Sequence, residues 1–157
     1  MRITRVISVG VVCLAAGMLA SQSGAGARAA ATARSAATPT VSLRSTAYGK
    51  ILVDSKGFTL YLWAKDKKDK SECSGPCLDV WPFVLVSGKP TAGPGVKASL
   101  LGTIKEKGGE EVTYDGHPLY TYVSDTKPGV VSGEGNTSFG APWWVVSPSG
   151  SAITKKP

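Results

Sequence analysis

Leu60-Tyr61-Leu62-Trp63-Ala64-Lys65-Asp66 and Leu119-Tyr120-Thr121-Tyr122-Val123-Ser124-Asp125 are two versions of one stretch, and both read Tyr-x-aromatic-x-x-Asp. Side chains of an extended chain alternate between faces, so Tyr61 shares a face with Trp63 and Tyr120 with Tyr122. Each Asp falls just past the apolar alternation. There its short side chain accepts backbone N–H groups and stops the strand in a turn. Symmetric placement makes Tyr61, Trp63, Asp66, Tyr120, Tyr122 and Asp125 a repeated structural unit rather than a paired active site.

The flanks carry the same plan twice. A turn precedes each copy, Asp54-Ser55-Lys56-Gly57 in the first and Asp115-Gly116 in the second, and a long loop follows. Each copy then ends in an apolar strand led by Trp, Trp81 to Val86 and Trp143 to Val146, and closes in Ser and Gly. No window shows a sustained helical period, whereas short alternating runs punctuated by Gly, Pro and Asp recur. The strands expected are Tyr48 to Val53, Phe58 to Trp63, Val80 to Val86, Ser99 to Lys105, Glu111 to Tyr114, Leu119 to Val123 and Trp143 to Ser147. Phe58 to Trp63 would form a hairpin with the first strand, and Lys107-Gly108-Gly109 would turn another. The fold expected is all-β: a compact antiparallel domain, a small sandwich or barrel, built from repeats at about 48–88 and 111–150.

Outside that core the chain reads differently. Arg2 and Arg5 precede an apolar run, Val6 to Ala20, and small residues follow to Ala33. This is the order of a secretory signal peptide, placed at residues 1–28, and about fifteen apolar residues are short for a membrane span. Gly10-Val11-Val12 before Cys13 does not match a lipoprotein cleavage box, which argues against a lipid anchor. Residues 29–46, rich in Ala, Thr and Ser, are expected to be a disordered spacer. The β domain is placed at 47–153 and a short tail at 154–157. With the signal removed, Cys73 and Cys77 remain, in an exported and oxidising setting.

Several of these motifs in order resemble the bacterial family described as a secreted repeat of unknown function, whose tandem signature is Tyr-x-(Phe/Trp/Tyr)-x-x-Asp. Cys73-Ser74-Gly75-Pro76-Cys77 running into Trp81-Pro82, Leu100 to Ile104, Val112 to Tyr120 and the Trp143 region extend the likeness from about Tyr48 to Ile153. The resemblance implies export, a Gram-positive source and a repeated β module, and it supplies no catalytic residues.

The residues that could carry chemistry are few. Cys73 and Cys77, with three residues between them, are expected to close a small disulfide ring that fixes the loop delivering Trp81. The sharper alternative joins Cys73, Cys77 and the single histidine, His117, as a copper or redox site, since thiolate and imidazole suit copper. His117 otherwise reads as a turn residue between Gly116 and Pro118. No Gly-x-Ser-x-Gly accompanies it, and Gly133-Glu134-Gly135 lacks the Lys-Ser/Thr of a phosphate loop. Trp81, Trp143 and Trp144 are candidates for exposed aromatics that stack on sugars, against the competing use of large aromatics as core. Lysines 65, 67, 68 and 70 are interleaved with Asp66, Asp69 and Glu72, which makes a solvated loop. No nucleic-acid motif is present. The expectation is a monomeric, secreted, non-enzymatic module of the cell envelope without a cofactor, binding an envelope protein or a cell-wall polymer.

Overall fold

A computed structural model describes residues 40–155 and 157; the expected signal peptide lies outside them. β1 (Val41–Thr46) and β2 (Gly49–Asp54) pair antiparallel across a two-residue turn, from Val41 opposite Asp54 to Thr46 opposite Gly49. The spacer expected over residues 29–46 is therefore corrected at its C-terminal end. Val41 is fully buried and packs with Leu52, and its N–H donates to the Thr91 carbonyl at 3.2 Å, so a stretch that looks like linker by composition is a strand by its contacts.

β3 (Tyr61–Trp63) pairs antiparallel with β8 (Trp143–Val145), placing Tyr61 opposite Val145 and Trp63 opposite Trp143. The expected β2–β3 hairpin narrows to one bridge, Val53 to Thr59. α1 (Pro76–Val80) takes up the start of the expected Val80–Val86 strand, and β4 is only Leu85–Val86. Pro82 has no N–H to give to a ladder, which agrees with the interruption. β5 (Leu101–Glu106) and β6 (Gly109–Tyr114) form a full hairpin over Lys107-Gly108. The next turn, Asp115-Gly116, has φ of +51° and +77°, the left-handed pair that a two-residue hairpin requires, and leads into β7 (His117–Pro118). The strand expected from Leu119 is reduced to bridges from Tyr120 to Tyr61 and to Phe83.

The sheets are β1–β2, β3–β8 and β4–β6–β5 with β7 also on β6, and they close no barrel among the described residues. Their connectivity exchanges strands between the repeats. β8, late in the second repeat, pairs with β3 of the first, while β4, late in the first, pairs with β6 of the second. The hydrogen bonds repeat in step: Leu60 N–H to Leu52 O matches Leu119 N–H to Val112 O, and Leu52 N–H to Val146 O matches Val112 N–H to Val84 O. Each repeat thus completes its sheet with a strand of the other.

Both faces of β2 are buried. Leu52 joins one cluster with Leu60, Val112, Tyr114, Leu119 and Val146; Ile51 and Val53 join a second with Tyr61, Trp63, Trp81, Tyr120 and Trp143. Five aromatic side chains fill much of the second cluster, and each withdraws about 150–250 Å² from water. Two to six residues per strand suffice because these few large rings supply the apolar area that long strands would otherwise provide.

Candidate functional site

The two motif copies meet at the centre of the domain. Tyr61 N–H donates to the Tyr120 carbonyl at 2.9 Å, and Tyr120 N–H returns the bond to Tyr61 at 3.0 Å. Their side chains then cross between repeats. Tyr61 Oη–H donates to Asp125 Oδ2 at 2.7 Å, and Tyr120 Oη–H to Asp66 Oδ2 at 2.8 Å. The other oxygen of each carboxylate is bound within its own loop: Asp66 Oδ1 accepts Glu72 N–H at 2.8 Å, and Asp125 Oδ1 accepts Ser132 N–H at 2.9 Å together with the Ser132 hydroxyl. Tyr61 Oη accepts Gly133 N–H at 3.2 Å, while Tyr120 Oη and Ser71 Oγ lie 2.7 Å apart. The motif Asp therefore orders its loop, and it also receives the opposite repeat's tyrosine.

Burial sets the electrostatics. It is the first cause raising both tyrosine hydroxyls far above the ordinary phenol range; next come the bond to Asp125 for Tyr61 and the neighbouring Glu111 charge for Tyr120. Burial pushes Asp66 up to about 6, against the opposing hydrogen bonds from Glu72 N–H and Tyr120 Oη–H. Neither tyrosine is poised as a phenolate, and both carboxylates have their oxygens occupied.

Around this centre four rings stack in series. Trp63 lies 5.0 Å from Trp143 with planes 5° apart, Trp143 lies 3.9 Å from Trp81 at 1°, and Trp81 lies 4.2 Å from Tyr122 at 19°. Tyr61 meets Trp81 edge-on at 5.3 Å and Tyr120 meets Trp143 edge-on at 5.0 Å. The indole N–H groups are satisfied, Trp63 by the Ala141 carbonyl, Trp81 by Ser138 Oγ and Trp143 by the Ser138 carbonyl, each at 3.1 Å. Trp81 and Trp143, expected as possible surface aromatics, are instead fully buried, because the stack and these bonds use both faces and the polar edge; Trp144 is half-buried.

Cys73 and Cys77 are joined by a disulfide, and both are buried in the aromatic cluster. The ring closes onto α1, where Trp81 N–H donates to the Cys77 carbonyl at 2.8 Å, so it fixes the backbone that delivers Trp81. The copper set is not assembled. Both sulfurs are committed to each other, His117 sits half-buried in β7 opposite Tyr114, and no group of three His, Cys, Asp or Glu among the described residues is placed to hold a metal.

The burial of one strand residue escaped the sequence reading. Glu111 of β6 is fully buried, and neither carboxyl oxygen has a hydrogen-bond partner. Burial, with the charges of Glu106 and Asp66 adding, pushes it up to about 9, so it is a neutral acid at pH 7. Its neighbours Val112 and Tyr114 advertise a strand, but a Glu-Glu pair after a hairpin turn looks solvated. A loop distant in sequence brings Asp66 beside it, which the local pattern does not show.

A family model described as a secreted repeat of unknown function matches residues 42–85 and 102–147, more than half of the chain. The first segment starts within β1 and ends in β4; the second starts within β5 and ends just past β8, so the matched units are the two that exchange strands. No curated protein and no solved structure matches the chain. Among the described residues, no helix is long and apolar enough to cross a membrane.

Proposed function

Because the chain belongs to this secreted-repeat family, we propose that it is a non-catalytic binding module of the cell envelope, directed at an anionic wall polymer. The observation that carries the reading is that the motif side chains are consumed in holding the repeats together, which leaves recognition to the outer surface. That surface is basic. Four of the eighteen Lys and Arg precede residue 40, whereas all eleven Asp and Glu follow it, so fourteen basic groups face eleven acidic ones. Among the described residues only Lys67 and Lys70 form salt bridges, both to Glu72.

An open cleft of about 710 Å³ lies between the Asp54–Lys56 turn and the segment Phe83–Ser87, which contains β4. Hydroxyls of Thr40, Ser55, Ser87 and Thr121 line it, with Lys56 and Lys89 at its walls. Asp54 Oδ1 is already engaged by Lys56 N–H at 2.9 Å and Phe58 N–H at 2.8 Å. Hydroxyls with two ammonium groups suit a phosphate-bearing glycopolymer, which offers hydroxyl acceptors and donors along with spaced negative charge.

The test is co-sedimentation of the exported chain with purified phosphate-bearing wall polymer, with a neutral polysaccharide as control. Retention on the anionic polymer, lost above about 0.5 M salt where charges are screened within a few Å, is expected. Lys56→Glu with Lys89→Glu should weaken it about tenfold, roughly the effect of one to two kcal/mol. Equal retention on the neutral polymer, or indifference to both salt and the charge reversals, would overturn the proposal.

A further inference from the structure

Beneath the loop Asp66–Glu72 lies a carboxyl group that neither the repeat motif nor the cleft uses. Glu111 sits mid-strand in β6, opposite Ile104 of β5 on one side and Leu85 of β4 on the other. Val112 and Tyr114 point into one core cluster, so Glu111 and Thr113 occupy the opposite face of β6. The loop after β3 covers that face: Asp69 N–H donates to the Gly116 carbonyl at 2.7 Å, and Lys68 and Asp69 line a pocket with Gly102, Thr113 and Gly116. The titratable groups facing Glu111 are Glu106 from β5, Asp66 from the loop and the Tyr120 hydroxyl. None supplies a positive charge, and none donates a hydrogen bond to it.

A buried carboxylate with no donor is far more costly than a buried neutral acid. When such a group ionises, the molecule reaches the least costly conformation that brings water to it. β6 is held on both edges, by β5 along one and by β4 and β7 along the other. The loop is held to the rest of the domain by far fewer bonds: Asp66 and Ser71 to the Tyr120 hydroxyl, and Asp69 N–H to Gly116. Its ends are fixed, one by Trp63 in the β3–β8 ladder and the other by the Cys73–Cys77 disulfide.

We propose that Glu111 is a proton-operated latch for this loop: while its carboxyl is neutral the loop lies closed on the β5–β6 face, and when the proton leaves to solvent the new carboxylate, set against Asp66 and Glu106, releases Asp66–Glu72. The released segment carries Lys67, Lys68 and Lys70, so opening changes how the domain presents three of its cations. Asp66, pushed up to about 6, is already charged at neutral pH, and Glu111 holds its proton to about 9, so opening belongs to the alkaline side of neutral.

Hydrogen exchange on the exported chain at about pH 6.5 and about pH 9.5, corrected for intrinsic rates, tests this. Protection of the Asp66–Glu72 amides should fall about tenfold or more across that range and by more than that of β5 and β6, which follow only the global stability, and Glu111→Gln should abolish the fall. Unchanged loop protection in the parent chain overturns the latch, as does an equal fall in Glu111→Gln. Should that variant not fold, a carbon-13 titration of the Glu111 carboxyl in the parent chain decides. A midpoint above about pH 7 with the loop resonances moving in step supports the latch, and any lower midpoint, or loop resonances that do not follow it, overturns it.

Discussion

Replacing Glu111 by Gln should remove most of the pH dependence of stability between about pH 6.5 and about pH 8.5. A glutamate ordinarily titrates near 4.5, and burial moves Glu111 to about 9. The folded state therefore keeps a proton that the unfolded chain has already released. Its stabilising contribution is complete below about 4.5 and is lost as pH rises through about 9, the reverse of the usual behaviour of a salt-bridged carboxylate. Each pH unit inside that window removes about 1.4 kcal/mol, so two units remove roughly 3 kcal/mol. That is a large share of the ~5–15 kcal/mol that a domain of this size possesses. Opening of the covering loop lets water reach the carboxylate and trims the loss, leaving at least about 1 kcal/mol. The interval is chosen because Asp66, at about 6, has largely finished titrating, and both buried tyrosines stay protonated throughout. Urea unfolding with the disulfide intact measures the effect. The parent chain should weaken by that amount from the lower to the higher pH, whereas Glu111→Gln should change by less than about 0.5 kcal/mol. Equal slopes in the two proteins would refute the assignment of Glu111 as a buried neutral acid.

Other perturbations probe the aromatic core and the strand exchange. A Cβ on Gly133 would stand 2.7 Å from Trp81 and 2.9 Å from Tyr61, so Gly133→Ala should cost about 1–3 kcal/mol by thermal unfolding. Removing the disulfide as Cys73→Ala with Cys77→Ala should cost about 2 kcal/mol, the low end expected for so short a ring, and should red-shift the Trp fluorescence less than full unfolding shifts it. Cutting the chain between β4 and β5 should leave two fragments that are each unfolded by circular dichroism, because each repeat lacks the strand its partner supplies. A half that folded alone would contradict the exchange.

Much of the architecture was legible locally. The alternation in Tyr61-Leu62-Trp63, the Lys107-Gly108 and Asp115-Gly116 turns, and the Cys73–Cys77 pairing in an exported chain all follow from side-chain period, left-handed φ preference and redox setting. What could not be read was anything set by partners distant in sequence. Val41-Ser42-Leu43-Arg44 resembles a polar linker until its β2 partner is known, and Trp81 and Trp143 look like sugar platforms until they are found stacked on each other. Each motif Asp predicts its own turn, but nothing within either copy says that it also receives a tyrosine about sixty residues away. Glu111 was hidden for the same reason: Asp66 is brought beside it by a loop that sequence alone places in solvent.

The central claim is that the two motif copies complete each other, and double-mutant cycles on stability test it most directly. Tyr61→Phe with Asp125→Ala, and Tyr120→Phe with Asp66→Ala, should each show coupling of at least about 1 kcal/mol, as a buried charge-assisted bond requires. Tyr61→Phe with Asp66→Ala, the pair within one copy, should be additive to within about 0.5 kcal/mol. Coupling within a copy and additivity between copies would contradict the account.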